Sequence, residues 1–527
     1  MDSDFEGLNE LHKQADACMN AGDFKGALGV ARQIQRLGEY PYTSYIVSGL
    51  LIDIGSALDK EEIILEGIGL LEKRFNDIAT DERLAATASY NRANGYYALY
   101  AIKRRRSTFA YFSKTIELDK ARHYFRKALE FNSVDPHFVS QIWVNLGNCF
   151  DNVGRVVEAL DCYEKALKYE PPHSMALGNK GVAIFSYANV AGEHQGAFLK
   201  EAYSLISQAL RVGVNYQSIP YFSNYLSHIE SIFKDKKEVL ENFSGYPGYE
   251  IKADSKSEQF LIEFCMKNRL YLNLCNFCQR CDAAIGDSVL IKTMIVALNP
   301  GESDPIEGDR YLRLSSFLNQ IKQDYITARF LLILSQYKEL NLDFVDRRVR
   351  IIDTLDYSIH NTRVELIKMS FKNLYGILDK IAYFVGYYLG LTIHSRDIDF
   401  HTIWYDKYRS KNRTVNSAIM TTQNLALNAL FDLHLDFEGD GIYHYLKNTR
   451  DALTHRFINI RLNQSSPDDE NMTRETLFIR TLELAKLTRS AVLYLLQFVY
   501  LEERKRKLGV KDIPILVAQE IPDNLKF

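Results

Sequence analysis

QIWVNLGNCFDNVGRVVEALDCYEKALKYEPP, residues 141–172, sets the architecture of the first half of this chain. Apolar residues recur at spacings of three and four on both sides of a short break, the signature of two amphipathic helices. Trp143, Leu146, Gly147 and Phe150 share one face of the first; Ala159, Tyr163 and Ala166 share one face of the second. Gly147 supplies a position without a side chain where two helices approach closely, and Gly154 supplies the turn between them. Pro171 cannot continue a helix, so the unit ends there.

Small residues at helix contacts, large ones between them, and a length near 34 residues together resemble the tetratricopeptide repeat. All eight diagnostic slots, Trp143, Leu146, Gly147, Phe150, Ala159, Tyr163, Ala166 and Pro171, carry a fitting residue. Weaker copies flank this one. Ala121, Phe125 and Ala128 continue a first helix near Tyr90 to Tyr97, and Leu177, Gly181 and Ile184 pair with Ala202, Ile206 and Ala209. Near the start, Leu11, Ala15 and Cys18 lead through Ala21-Gly22-Asp23 to Ala27 and Ala31, and a degenerate unit fits between Tyr45 and Phe75. The array is expected over residues 5–240. Such repeats stack into a superhelix with a concave groove, and the resemblance implies that the groove docks a protein or peptide partner. An insertion in one copy carries Lys103-Arg104-Arg105-Arg106, which reads either as a solvated helix end or as a phosphate contact.

Bulk properties agree with more than one domain, since a chain of 527 residues exceeds what one core supports. Hydrophobic content of 46% and charge of 25% belong to a globular chain, not a disordered one. A net charge of −3 creates no long-range field for nucleic acid, so any phosphate-binding surface must be local. The opening MDSDFEGLNELHKQ lacks a basic segment followed by an apolar run, and no uninterrupted apolar stretch reaches the roughly 20 residues of a membrane span. With seven cysteines, three of them (Cys18, Cys149, Cys162) in helical patterns, a reducing cytoplasm is the expected location and no membrane association is expected.

A connector, 241–311, holds Cys265, Cys275, Cys278 and Cys281. Four thiolates can hold a tetrahedral zinc, but one cluster plus a distant cysteine is a poor match to two separated knuckles. The competing reading is a helix and loop with small buried cysteines, Leu270, Leu272 and Leu274 docking it onto the C-terminal domain. Residues 286–305, GDSVLIKTMIVALNPGESDP, are β-branched and bounded by Gly and Pro, and one or two short strands are expected there.

From residue 312 to 510 the period is helical again: Phe317 to Tyr337, Asn361 to Leu389, Thr422 to Leu435, Gly441 to Asn459 and Thr473 to Lys507. Loops of polar and glycine residues separate them, which predicts a bundle of long helices followed by a tail, 511–527. The whole is therefore expected to be all-α, an α-solenoid followed by a helical bundle.

The fourth bundle helix contains Arg450-Asp451-Ala452-Leu453-Thr454-His455. An Arg and a His separated by four residues, with a polar residue after the Arg, on the penultimate long helix of a bundle, resemble the Arg-x4-His motif of the HEPN superfamily. HEPN domains behind tetratricopeptide arrays are a recurrent bacterial arrangement, so the two halves support each other. The resemblance implies cleavage of RNA without metal or other cofactor, the ribose 2′-hydroxyl attacking its neighbouring phosphate and leaving a cyclic phosphate end. Imidazole at His455 suits proton transfer near neutral pH, and the planar donors of Arg450 suit a pentavalent phosphorane. Asp451 is placed to orient either of them, and Asn448 and Thr454 are polar neighbours able to bind phosphate. Five residues turn a helix through about 500°, so the pair points about 140° apart and about 7.5 Å apart along the axis. Two copies across a dimer axis would bring both pairs into one cleft, so a homodimer through 312–510 is expected. The reading is of a conditional, toxin-like defence ribonuclease with a docking arm; its rival is a scaffold of the same architecture that binds partners or RNA without cutting.

Overall fold

A computed structural model describes residues 2–38, 40–78, 80–106, 111–131, 135–188, 194–234, 237–242, 252–273, 282–289, 305–391, 398–406, 413–439, 441–462, 471–507, 521–522 and 525–526, without the side chains of 2–6, 282–283, 305–310 and 506–507. Among the described residues there are twenty α-helices and a single two-stranded sheet, an all-α protein. It divides into two compact units, residues 1–183 with 202–235, and residues 184–201 with 236–527.

The first unit is a series of helix pairs: α1 (Asp2–Asn20) on α2 (Phe24–Arg36), α3 (Pro41–Ala57) on α4 (Glu61–Ile78), α5 (Glu82–Arg106) on α6 (Ile116–Leu129), and α7 (Pro136–Asp151) on α8 (Val156–Tyr169). The first part of α9 (Ser174–Ala188), the last part of α10 (Gln195–Val212) and α11 (Ile219–Phe233) come next, residues 184–201 being counted with the second unit. The α7–α8 pair is the strong repeat. Leu146, Phe150, Ala159, Tyr163 and Ala166 are all buried between the helices. A Cβ at Gly147 would lie 2.6 Å from Cε1 of Tyr163 and 3.2 Å from Cβ of Cys162, so only glycine permits this approach. Gly154 turns the chain at φ +87°. Gly181 repeats the device, its absent Cβ lying 2.6 Å from Cγ1 of Ile206. Asparagines tie successive first helices together: Asn145 donates to Tyr90 Oη at 3.0 Å and Asn152 donates to Tyr97 Oη at 2.7 Å.

The four cations Lys103–Arg106 are consumed inside this unit. Lys103 pairs with Glu117, Arg105 with Asp59 and Arg106 with Glu61, while Arg104 donates to both oxygens of Asn152. The run closes repeats onto one another, which favours its bland reading over a phosphate contact.

The second unit adds α12 (Glu238–Glu241), α13 (Lys256–Asn268), α14 (Pro305–Gln336), α15 (Asp343–Asp346), α16 (Thr362–Leu389), α17 (Ser417–Thr422), α18 (Leu425–Phe437), α19 (His444–His455) and α20 (Arg474–Lys507). α14, α16 and α20 pack mutually, α18 lies on α20, and α19 lies on α16 and α18. Side-chain caps set the starts: Asn361 accepts from the Val364 amide, and Asn424 from those of Ala426 and Leu427. Gly390 ends α16 in the left-handed region. Leu493 to Val499 in α20 are buried throughout, so this helix is the core of the bundle. By length and composition Arg474–Lys505 could cross a membrane; 83% of its apolar window is instead covered by the protein itself. Leu270 and Leu272 are fully buried, and the carbonyl of Leu270 accepts from Tyr325 Oη and Arg329. Arg329, 4% exposed, also grips both carboxylate oxygens of Asp287 at 2.9 and 2.7 Å.

The strands lie elsewhere than expected. Residues 290–304 fall outside the described residues, and 286–289 are coil. The sheet is instead β1 (Asn459–Arg461) with β2 (Asn471–Thr473), a parallel pair between α19 and α20. The helix anticipated to Asn459 stops at His455 because Arg456 turns extended, φ −136° and ψ −171°, and hands the chain to β1. Of the four cysteines proposed for zinc, Cys265 is buried in α13, as a small core residue; Cys275, Cys278 and Cys281 lie outside the described residues.

Candidate functional site

The turn into α19 is fixed by Gly441, where a Cβ would stand 2.3 Å from the Asp436 carbonyl oxygen, and by the Tyr443 amide donating to that same oxygen at 2.8 Å. Leu446, Thr449, Ala452 and Leu453 then face inward. This spacing of three and four leaves Arg450 half-buried at the edge of the packed face and puts His455 in the exposed last turn.

Arg450 donates to Asp451 Oδ1 at 2.9 Å, and its guanidinium carbon lies 5.2 Å from the ring centroid of Tyr375 on α16. Burial opposes its charge, but the bond to Asp451 and the proximity of Tyr375 and Asp379 outweigh that and raise its pKa. It is a fixed, permanent cation. His455 is exposed, as are Thr454 and Arg456, and its imidazole has no hydrogen bond among the described residues. Asn448 is half-buried on the same helix. One chain therefore unites Arg450 with Asp451 and separates both from His455, which points outward. His444, three turns earlier, is occupied with the Phe437 carbonyl at 3.2 Å.

Beneath Arg450 lies a polar network that periodicity alone did not single out. Tyr375 Oη is 2.8 Å from His401 Nε2, and His401 Nδ1 is 3.0 Å from Glu438 Oε1. Glu438 also meets Arg413 at 3.2 Å and Lys447 at 3.4 Å. Burial alone would raise the Glu438 pKa; the hydrogen bond from His401 and the charges of Lys447 and Arg413 overcome it and hold the carboxylate ionised. His434, wholly buried, stacks on Trp404 and reaches Tyr405 Oη at 3.3 Å. Burial, with His401 beside it, pushes its pKa well below the usual imidazole value, so it is neutral. His434 and Glu438 stand four apart on one helical face, a signal present in the sequence; His401 and Tyr375 come from other segments and carry none.

Large apolar side chains are exposed two residues beyond His455 and along the 352–357 segment. Phe457 is 91% exposed, Leu355 and Ile352 85%, and Tyr357 75%. The Leu462 amide donates to the Tyr357 carbonyl at 3.1 Å and the Ile359 amide to the Ile460 carbonyl at 2.6 Å, fastening that segment to β1.

These features define an all-α protein that joins tetratricopeptide-type helix pairs to a C-terminal helical bundle. Residues 140–173 match the tetratricopeptide repeat and residues 307–502 the LA2681-like HEPN family, so the chain carries a tetratricopeptide repeat and an LA2681-like HEPN domain. Among solved structures, the TPR2AB domain in the "TPR2AB-domain:pHSP90-complex of yeast Sti1" aligns over 43% of this chain and 99% of its own, at 10% identity and a TM-score of 0.18. No curated protein matches.

Proposed function

We propose that this protein is a cytoplasmic, metal-independent endoribonuclease of the HEPN type, with Arg450 and His455 as catalytic residues and a tetratricopeptide array that docks a protein partner. The observation that carries the reading is the combination on α19 of a charged, anchored arginine and an exposed histidine free to meet a substrate. His455 takes the proton of the ribose 2′-hydroxyl as its oxygen bonds to phosphorus, and Arg450 donates to the equatorial oxygens of the phosphorane. The bond to the 5′-oxygen then breaks, that oxygen leaves protonated, and a 2′,3′-cyclic phosphate remains. Because the two side chains diverge on one helix, a second copy completes the site, one histidine as base and the other as acid. Phe457, 91% exposed two residues after His455, is suited to be covered at that interface. Asp451 orients Arg450, and Asn448 and Thr454 lie where phosphate oxygens would pass. Biologically the protein acts as a conditional, toxin-like defence effector, its array sensing the trigger.

A second reading has its own support. Arg450 is already held on Tyr375 by Asp451, as in a bundle that merely binds RNA or partners. Growth arrest on overexpression separates the two. Arrest relieved by both His455→Ala and Arg450→Ala, with RNA fragments ending in cyclic phosphate and cutting that survives EDTA, supports the ribonuclease. Arrest and cutting undiminished in both variants would exclude these residues as the site.

A further inference from the structure

We propose that His401, His434 and Glu438 form a binding site for a divalent transition-metal ion, with zinc the best fit, which fastens the loop before α17 to the end of α18.

One ligating atom from each of the three residues lies within 4.8 Å of the others, and His401 Nδ1 is 3.0 Å from Glu438 Oε1. Two imidazoles and a carboxylate are a borderline donor set of the kind zinc takes. Around a tetrahedral zinc with bonds of about 2.0–2.1 Å, ligand atoms stand about 3.4 Å apart, so the widest separation must shorten by about 1.4 Å. The 3.0 Å between His401 and Glu438 already fits, so the adjustment falls on the separations from His434, and His401, in a loop, and Glu438, at the C-terminal cap of α18, are the ligands placed to make it.

The independent observation is an unmet demand for partners. Nδ1 of His434 is fully enclosed without a hydrogen-bond partner, and Nδ1 of His401, 9% exposed, has only the Glu438 carboxylate beside it at 3.0 Å. A buried polar atom left this way costs about 1–3 kcal/mol unless something satisfies it. The other ring nitrogen of each is engaged: Nε2 of His401 with Tyr375 Oη, Nε2 of His434 with Tyr405 Oη. Metal-bound histidines show this arrangement, an outer oxygen taking the N–H of one nitrogen so that the lone pair of the other faces the ion. Burial keeps His434 neutral, as a ligand must be.

Arg413 and Lys447 oppose a cation, because both pair with Glu438. A metal would take the oxygen that Lys447 shares, so Lys447 is its competitor. Once bound, the ion would fix the His401 tautomer and hold Tyr375 under the Arg450 guanidinium. The proposal does not depend on RNA cleavage.

The full-length chain, stripped with chelator, is titrated with zinc while its melting temperature is followed, and with cobalt while its visible spectrum is recorded. One equivalent per chain, a raised melting temperature, and cobalt bands without thiolate charge transfer are expected. His401→Gln and Glu438→Gln should each weaken binding by more than about tenfold, whereas Lys447→Ala should tighten it. Should Glu438→Gln not fold, His401→Gln and Lys447→Ala decide alone. No zinc response in the wild type, unchanged binding in His401→Gln, or cobalt bands of thiolate character would overturn the proposal.

Discussion

Replacing Arg450 by alanine separates a catalytic arginine from a structural one, because its contacts bound what stability the change can cost. Its partner Asp451 is 30% exposed and Arg450 itself 33%, so the ion pair contributes about 0.2–1 kcal/mol. Lying 5.2 Å from the Tyr375 ring centroid adds about 0.5–1 kcal/mol. The sum, about 1–2 kcal/mol, lowers the melting temperature of the second unit by a few degrees and leaves no enclosed charge behind, since Asp451 can turn to water. On the proposed mechanism the same side chain would face an extra phosphorane charge, and losing one such donor costs about 2.7–4 kcal/mol, a factor of about 10²–10³ in rate. Single-turnover cleavage of a labelled RNA in EDTA, beside urea unfolding of the same samples, reads both quantities. Arg450→Lys should keep most of the stability and little of the rate, because an ammonium lacks the planar fork. An alanine variant that cuts within about threefold of wild type, or one that loses more than about 3 kcal/mol of stability, would remove Arg450 from the catalytic pair.

Other substitutions have outcomes set by burial and close approach. Asp287→Ala strands the buried Arg329 and should cost about 3–5 kcal/mol in chemical unfolding, with much of it recovered in Asp287→Ala/Arg329→Met. Asp151, half-buried in α7, has its pKa raised by burial from 3.8 to about 6, Arg104 opposing. The folded state thus binds the extra proton, and between these values its contribution to stability grows as pH falls. Asp151→Asn should therefore be more stable than wild type at pH about 7.5, by on the order of 1–2 kcal/mol after allowing for solvent, with the gap closing toward pH about 4 in paired urea titrations. Gly147→Val drives a branched side chain into Tyr163 and Cys162 and should cost about 2–3 kcal/mol, whereas Gly29→Ala, where nothing lies within 4 Å, should not destabilise.

Helices and repeat were legible before any folding, because both are written in local periodicity. Gly147, Tyr163 and Ala166 sit at fixed offsets in α7 and α8, and their burial comes from spacing alone. The five long bundle segments were readable for the same reason, as was α19 with Arg450 and His455 on it. Sequence also showed four adjacent cations at 103–106, but the folded unit was needed to show that Glu117, Asp59, Glu61 and Asn152 absorb them, since those partners come from other helices. The parallel pairing of Asn459–Arg461 with Asn471–Thr473 was hidden likewise, each strand being too short to carry a period. Packing in three dimensions brought Tyr375 under Arg450 and His401 against Glu438, across 26 positions in the first hydrogen bond of that chain. Helix and repeat are properties of neighbours in sequence; a polar cluster assembled from α16, α18 and the loop between them exists only once packing has removed the water around it.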